Sequence, residues 1–298
     1  MIKSIISIYK SIGVSGLLTM VGSRLVAKKA RCFPLCMKLV SNGVGLEIGG
    51  PSSLFNKRRI LPIYPIINSL DNCNFADCTI WEGTISSGNT FQYDKHRPLG
   101  RQYISEATNL KQIKSETYDF ILSSHVLEHI ANPLSALHEW LRVLKEEGGL
   151  VLVLPHKEGT FDHIRKVTNL GHLVKDYEKK TKESDLSHLP EILDLHDLKK
   201  DPGVEDAGTF KKRSENNVVN RCLHHHVFIT SLVVEILHHL NLQILSVEAV
   251  LPFHIIIIAK KIKTGDLPIN DKFFGNDAEY RRTSPFVSDK QSLNQKKP

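Results

Sequence analysis

Residues Leu46 to Phe55 read Leu-Glu-Ile-Gly-Gly-Pro-Ser-Ser-Leu-Phe, a short apolar run that carries an acid and then breaks into two glycines. Gly49 and Gly50 lack a Cβ, so the backbone there can take positive φ and let a ligand lie directly against main chain. A dinucleotide would require G-x-G-x-x-G opening straight into a helix, because its pyrophosphate needs several amides and a helix N-terminus. Here Pro51 removes a donor and no third glycine follows. Glu47 would sit badly beside a phosphate, yet it suits an amino group or a sulfonium. S-adenosylmethionine carries both and has no phosphate.

The remaining parts of such a site follow in order. The run Ile60 to Leu70 reads as a buried strand ending at Asp71, an acid 24 positions after Glu47 that can accept both ribose hydroxyls. Glu106 and Ala107, within Ser105-Glu106-Ala107-Thr108, put a carboxylate and a small side chain beside an adenine. Tyr118 to His125 reads as a fourth strand that delivers Ser124 and His125 to its carboxyl end. The cofactor set is therefore Glu47, Gly49, Gly50, Asp71, Glu106, Ala107, Ser124 and His125. Transfer to a hydroxyl also needs a base, and an imidazole titrates in the right range. His125 after the fourth strand, His156 after the fifth, and His163 beside Asp162 are the candidates, each open also to a purely structural reading in which the ring bonds a backbone carbonyl. His129, inside the helix-opening turn, reads as structural.

Asn132-Pro133 makes a helix start, with Asn132 as N-cap and Pro133 at the first helical position. Leu134, Leu137, Leu141 and Leu144 mark its buried face, and Gly148-Gly149 ends it before a strand over Leu150 to Leu154. Alternating strands and helices imply a parallel sheet. Leu242 to Val250 and Pro252 to Ala259 read as an antiparallel hairpin closing it. The expected segments are a basic arm (1–42), a cofactor-binding core (43–155), an insert or acceptor lid (156–226), core completion (227–262) and a loosely ordered tail (263–298).

Taken together, His125-Val126-Leu127-Glu128-His129-Ile130-Ala131-Asn132-Pro133, Arg142-Val143-Leu144-Lys145, Gly148-Gly149 and Leu150 to Pro155 resemble the class I S-adenosylmethionine-dependent methyltransferases, in particular the small-molecule, type 11-like group. The resemblance covers residues 43 to 155, with a weaker echo from His226 to Lys260. The chain departs from the family's G-x-G at Gly49-Gly50-Pro51-Ser52. What the resemblance implies is an α/β, doubly wound, mostly parallel seven-stranded sheet with a closing hairpin and a helical insert, binding S-adenosylmethionine. Phe161 to Arg165 is shared with methyltransferases of surface-glycan pathways, which implies a small-molecule or saccharide acceptor methylated on oxygen. In related methyltransferases a His-Val-Phe run follows the lid, so His224-His225-His226 reads as lid-to-core packing.

Composition narrows the alternatives. The net charge of +7 is confined to the first 46 residues, which hold seven Lys or Arg and no acid, leaving 32 basic against 32 acidic residues elsewhere. A neutral body offers no basic track for nucleic acid. Ile2, Ile5, Ile6, Tyr9 and Ile12 keep helical spacing, so residues 1–30 either lie peripherally on an anionic membrane face or cap the domain. Five cysteines without C-x-x-C pairs read as reduced thiols of a cytoplasmic protein. Fifteen histidines show no recognised metal-ligand spacing, so no metal is assigned. Arg165, Lys166, Lys211, Lys212, Arg213 and Arg221 form a candidate clamp for an anionic acceptor. The competing function is a non-catalytic nucleoside-binding protein docked to a membrane assembly by its arm. A nicotinamide-dependent oxidoreductase shares the fold but lacks its phosphate loop.

Overall fold

The computed structural model describes residues 28–201 and 203–290. Most of the expected membrane-facing arm, residues 1–27, lies outside the described residues. Its continuation is a packed element: α1 (Phe33–Val40) has Pro34 in its first turn and buries Phe33, Cys36 and Val40 against the sheet.

In chain order the first half follows as β1 (Val44–Ile48), β2 (Ser69–Asn74), β3 (Cys78–Thr79), β4 (Gly83–Thr84), β5 (Gly88–Phe91), β6 (Gly100–Ile104), β7 (Tyr118–Ser124), α2 (Pro133–Val143) and β8 (Leu144–Pro155). The second half holds α3 (Leu170–Lys179), α4 (Leu189–Leu195), α5 (Ala207–Glu215), α6 (Asn217–Asn220), α7 (Thr230–His239), β9 (Leu242–Val250), β10 (His254–Lys261), α8 (Glu279–Thr283) and α9 (Val287–Lys290). The main sheet runs β5-β6-β2-β1-β7-β8-β10-β9, and β3-β4 is a separate hairpin. From β6 to β8 all neighbours are parallel, while β5 and the β9–β10 pair add antiparallel edges. This is the doubly wound fold, with eight strands where seven are expected; the additional one is the short edge strand β5.

Both faces of the sheet are covered, which is why its strands read as continuous apolar runs. One face packs α2, α7 and part of α3 through Leu137, Trp140, Leu173 and Leu237; the other packs α1 and the loop bearing Phe55, Leu61, Ile63 and Tyr64.

Four expectations are corrected here. Residues 60–67 form a buried loop, and the strand begins only at Ser69. Pro62 and Pro65 lack the N–H a central strand must donate, and burial alone does not distinguish a packed loop from a strand. Helix α2 ends at Val143, and Gly148-Gly149 lie within β8, not at a helix end. Residues 1–42 are not a uniform arm, because their last part is packed core. From Thr264 the chain does not form a loose tail: Phe273, Ala278 and Tyr280 join the core, and Asp289 is fully enclosed.

Candidate active site

A cavity of about 750 Å³ opens at the carboxyl ends of β1, β2, β6, β7 and β8, where open α/β sheets bind ligands. Its floor begins at the turn after β1. Gly49 and Gly50 have φ of +76° and +83°, and Cβ atoms on them would lie 2.5 Å from Val126 Cγ2 and 2.4 Å from Glu47 Oε1. Only glycine leaves that space open while holding this backbone. Two asparagines fasten the turn from β2: Asn72 donates to the Gly49 carbonyl, and Asn74 Nδ2 donates to the Gly50 carbonyl at 3.1 Å.

Glu47 has a different job from the one its position suggests. It is fully buried beneath the turn, where Oε1 accepts from Ser52 N at 3.0 Å and the Tyr64 hydroxyl donates at 2.8–2.9 Å. Burial pushes its carboxyl up to about 8, against the hydrogen bonds from Tyr64 and Ser52. Glu47 shapes the loop and does not line the cavity. The alternation of β1 side chains explains this: Ile48 reaches the cavity, and its neighbour faces the opposite layer.

Asp71 is likewise not at the strand tip. It is the third residue of β2, and its carboxylate accepts from Arg101 N and from the Tyr118 hydroxyl, both at 2.8 Å. It ties β2 to β6 and β7 away from the cavity. Glu47 and Asp71 therefore do not share one pocket, and the cavity presents Cys73, Asn74 and Phe75 at this tip, with Glu82 from the β3–β4 turn above them. Burial raises the Glu82 carboxyl. The Asn72-Cys73-Asn74 alternation was the available signal, since period two puts both asparagines on one face.

The other cofactor candidates converge as expected. Gly49, Gly50, Glu106, Ala107, Ser124 and His125 all line the cavity. Ser124 Oγ is buried with no hydrogen-bond partner in the protein, a group a ligand can satisfy. Bare main chain, several carboxylates and no phosphate-binding cradle fit an S-adenosyl nucleoside.

The three candidate bases fare differently. His125 lines the cavity in a left-handed conformation (φ +56°), with Nε2 2.9 Å from His254 Nδ1 and Nδ1 3.6 Å from Glu128 Oε1. His156 is fully buried outside the cavity, stacked on Phe286 at 3.9 Å and bonded to Asp289 at 3.4 Å. Fully enclosed by Phe286 and Asp289, its ring cannot reach an acceptor, so His156 is not a base here; the segment that covers it belongs to the stretch expected to be a loose tail. His163 pairs with Asp197 at 3.0 Å and does not line the cavity either.

The ring that reaches the cavity from the insert is His224, which the packing reading had set aside. Its Nδ1 lies 2.5 Å from Asp162 Oδ2, and Arg165 Nη1 holds Asp162 Oδ1 at 2.9 Å. Burial raises the Asp162 carboxyl, but His224 and Arg165 outweigh it and hold it down to about 2. Burial lowers His224, and Asp162 more than reverses this, leaving the imidazole above its ordinary value. Residues 62 positions apart leave no local trace of the pair. His225 and His226 are buried, His225 hydrogen-bonded to Asn217 and His226 to the Ala131 carbonyl.

The anionic clamp does not assemble. Arg165 is spent on Asp162, Arg213 on Asp201 at 2.6 Å, and Arg221 on Glu106 and Glu183 at 2.5 and 2.8 Å. Among the described residues, no helix is long and apolar enough to cross a membrane.

Residues 73–152, from the tip of β2 into β8, match the methyltransferase domain family. No curated protein sequence matches the chain. Among solved structures, the chain is similar to an S-adenosylmethionine-dependent methyltransferase from Methanosarcina mazei (16% identity, 77% of this chain and 98% of that one, TM-score 0.43). It is also similar to one from Aquifex aeolicus (12% identity, 80% and 93%, TM-score 0.43). At such scores the likenesses add nothing to the family match. That match spans Asn74, Glu106, Ser124 and His125, which line the cavity. Residues 73–152 therefore match a methyltransferase domain, and the cavity at the sheet's carboxyl edge is formed in large part from them.

Proposed function

We propose that the enzyme methylates a hydroxyl oxygen of a small, saccharide-like acceptor, with His224 as general base. The Asp162–His224 pair in the cavity roof carries this reading. When bound, S-adenosylmethionine supplies a methyl group activated by a positive sulfur. Gly49, Gly50, Asn74, Glu82, Glu106 and Ser124 are the residues that would hold it. Asp162 fixes the His224 tautomer through Nδ1–H, so Nε2 is the nitrogen that takes the proton of the acceptor hydroxyl. Arg165 keeps Asp162 ionised and in place.

The acceptor end favours a neutral, polyhydroxylated molecule. Phe75, Trp81 and Phe161 offer ring faces, and Glu183 and Arg221 offer hydrogen bonds with their opposite charges paired at 2.8 Å. Labelled methyl transfer from S-adenosylmethionine to a panel of glycosides, phenols, amines and thiols tests the target atom. His224→Gln is expected to lower kcat roughly 100- to 10,000-fold while S-adenosylhomocysteine affinity is unchanged. Full turnover in that variant, or transfer confined to amines or thiols, would refute the proposal.

A further inference from the structure

Outside the cavity, a second group of side chains converges on one point. His172 and Asp176 stand one turn apart on α3, His188 directly precedes α4, and His226 leads into α7. His172 Nε2 lies 3.1 Å from His188 Nε2 and 3.2 Å from Asp176 Oδ2, and His226 Nε2 lies 3.8 Å from the same oxygen. The ligand atoms of the three histidines all fall within 4.8 Å of one another. A tetrahedral zinc ion with bonds near 2.0–2.2 Å separates its ligand atoms by about 3.4 Å, and the two His172 contacts, at 3.1 and 3.2 Å, lie close to that value.

The group is also unfinished as a hydrogen-bonding cluster. His226 Nδ1 is buried with no hydrogen-bond partner in a side chain only 1% exposed, and Asp176 Oδ2, though 3.2 Å from His172 Nε2, accepts no hydrogen bond either. Unpaired buried polar atoms are rare, and two of them in one cluster point to a missing ligand. An outer contact of the kind that orients a metal-ligating histidine is present: His226 Nε2–H faces the Ala131 carbonyl at 3.3 Å, which leaves Nδ1 as the ligating nitrogen of His226, and Glu191 Oε2 stands at ion-pair distance, 3.9 Å, from His188 Nδ1.

From this geometry we propose that His172, Asp176, His188 and His226 bind one structural zinc ion. Four protein ligands close the coordination shell, so the ion staples rather than catalyses. It ties the insert to the segment around Ala131, whose N–H bonds Glu183 of the cavity wall at 3.2 Å. Occupancy thus holds one wall of the acceptor cavity in place. The other convergent group, Glu128, His129 and His224, offers three ligands and faces the open cavity.

The full-length protein, produced without a polyhistidine tag, is analysed for zinc by mass spectrometry. After chelation it is titrated with zinc in competition with a chromophoric chelator. One equivalent is expected in the wild type and in His129→Ala, with affinity reduced at least about 100-fold in His172→Ala and His188→Ala. Cobalt substitution of the wild type gives a readout independent of whether a variant folds, and intense visible bands of tetrahedral coordination are expected. Absence of zinc uptake at micromolar concentration, retention of the full equivalent in both variants, or a weak octahedral cobalt spectrum would each overturn the assignment.

Discussion

The imidazole of His224 is defined by the carboxylate behind it. Because Asp162 raises the pKa of His224 above its ordinary value of 6.5, the neutral form that can accept a proton accumulates only at higher pH. The turnover rate is therefore expected to rise with pH through that raised value. Asp162→Asn should shift the rising limb toward lower pH and lower the plateau; a pH–rate profile with an unmoved limb would separate the two residues. Asp71 provides the contrasting case. Since its carboxylate bonds Arg101 N and the Tyr118 hydroxyl, Asp71→Ala should leave S-adenosylhomocysteine affinity unchanged in calorimetry while costing about 1–3 kcal/mol of stability.

Among the elements, the turn after β1 depends on a buried acid. The Glu47 carboxyl sits at about 8 in the folded protein against an ordinary 4.5, so the folded state retains a proton that the unfolded chain releases. A raised value means that this contribution is fully present below about 4.5 and is lost progressively as pH rises through 8. Glu47→Gln keeps an acceptor for Ser52 N without the ionisation. The wild-type urea midpoint should accordingly fall relative to that of Glu47→Gln between pH 4.5 and 8, and parallel pH dependences in the two proteins would contradict the assignment. Strand β2 shows how a one-residue phase decides roles: its asparagines serve the loop, and Asp71 serves the neighbouring strands.

At the scale of the molecule, the last described segment closes the fold. Asp289 receives hydrogen bonds from Thr230 at 2.6 Å and Ser284 at 2.7 Å and also contacts His156, while Tyr280 and Phe273 pack on the helical layer. Deleting residues 264–298 uncovers that layer and removes the partner of a buried histidine. Each large side chain lost is worth about 1.5–3 kcal/mol, so thermal unfolding should occur at markedly lower temperature, with exposed apolar surface detectable by dye binding. An unchanged melting temperature would show that the segment contributes nothing.

The strand and helix alternation, the closing hairpin, the Asn132 cap and the glycine turn were all legible in the order of residues, because each rests on local periodicity or on a single backbone requirement. So were Glu106, Ala107, Ser124 and His125, which stand at strand ends whose positions local pattern determines. The functional partnerships were not. Whether Glu47 faces the ligand or the loop, whether His156 or His224 reaches the cavity, and which residues converge beside His226 all depend on contacts between positions tens to more than a hundred residues apart. Side-chain chemistry is written along the chain, but its direction is set by packing, and only the assembled sheet, insert and C-terminal segment decide which groups share a space.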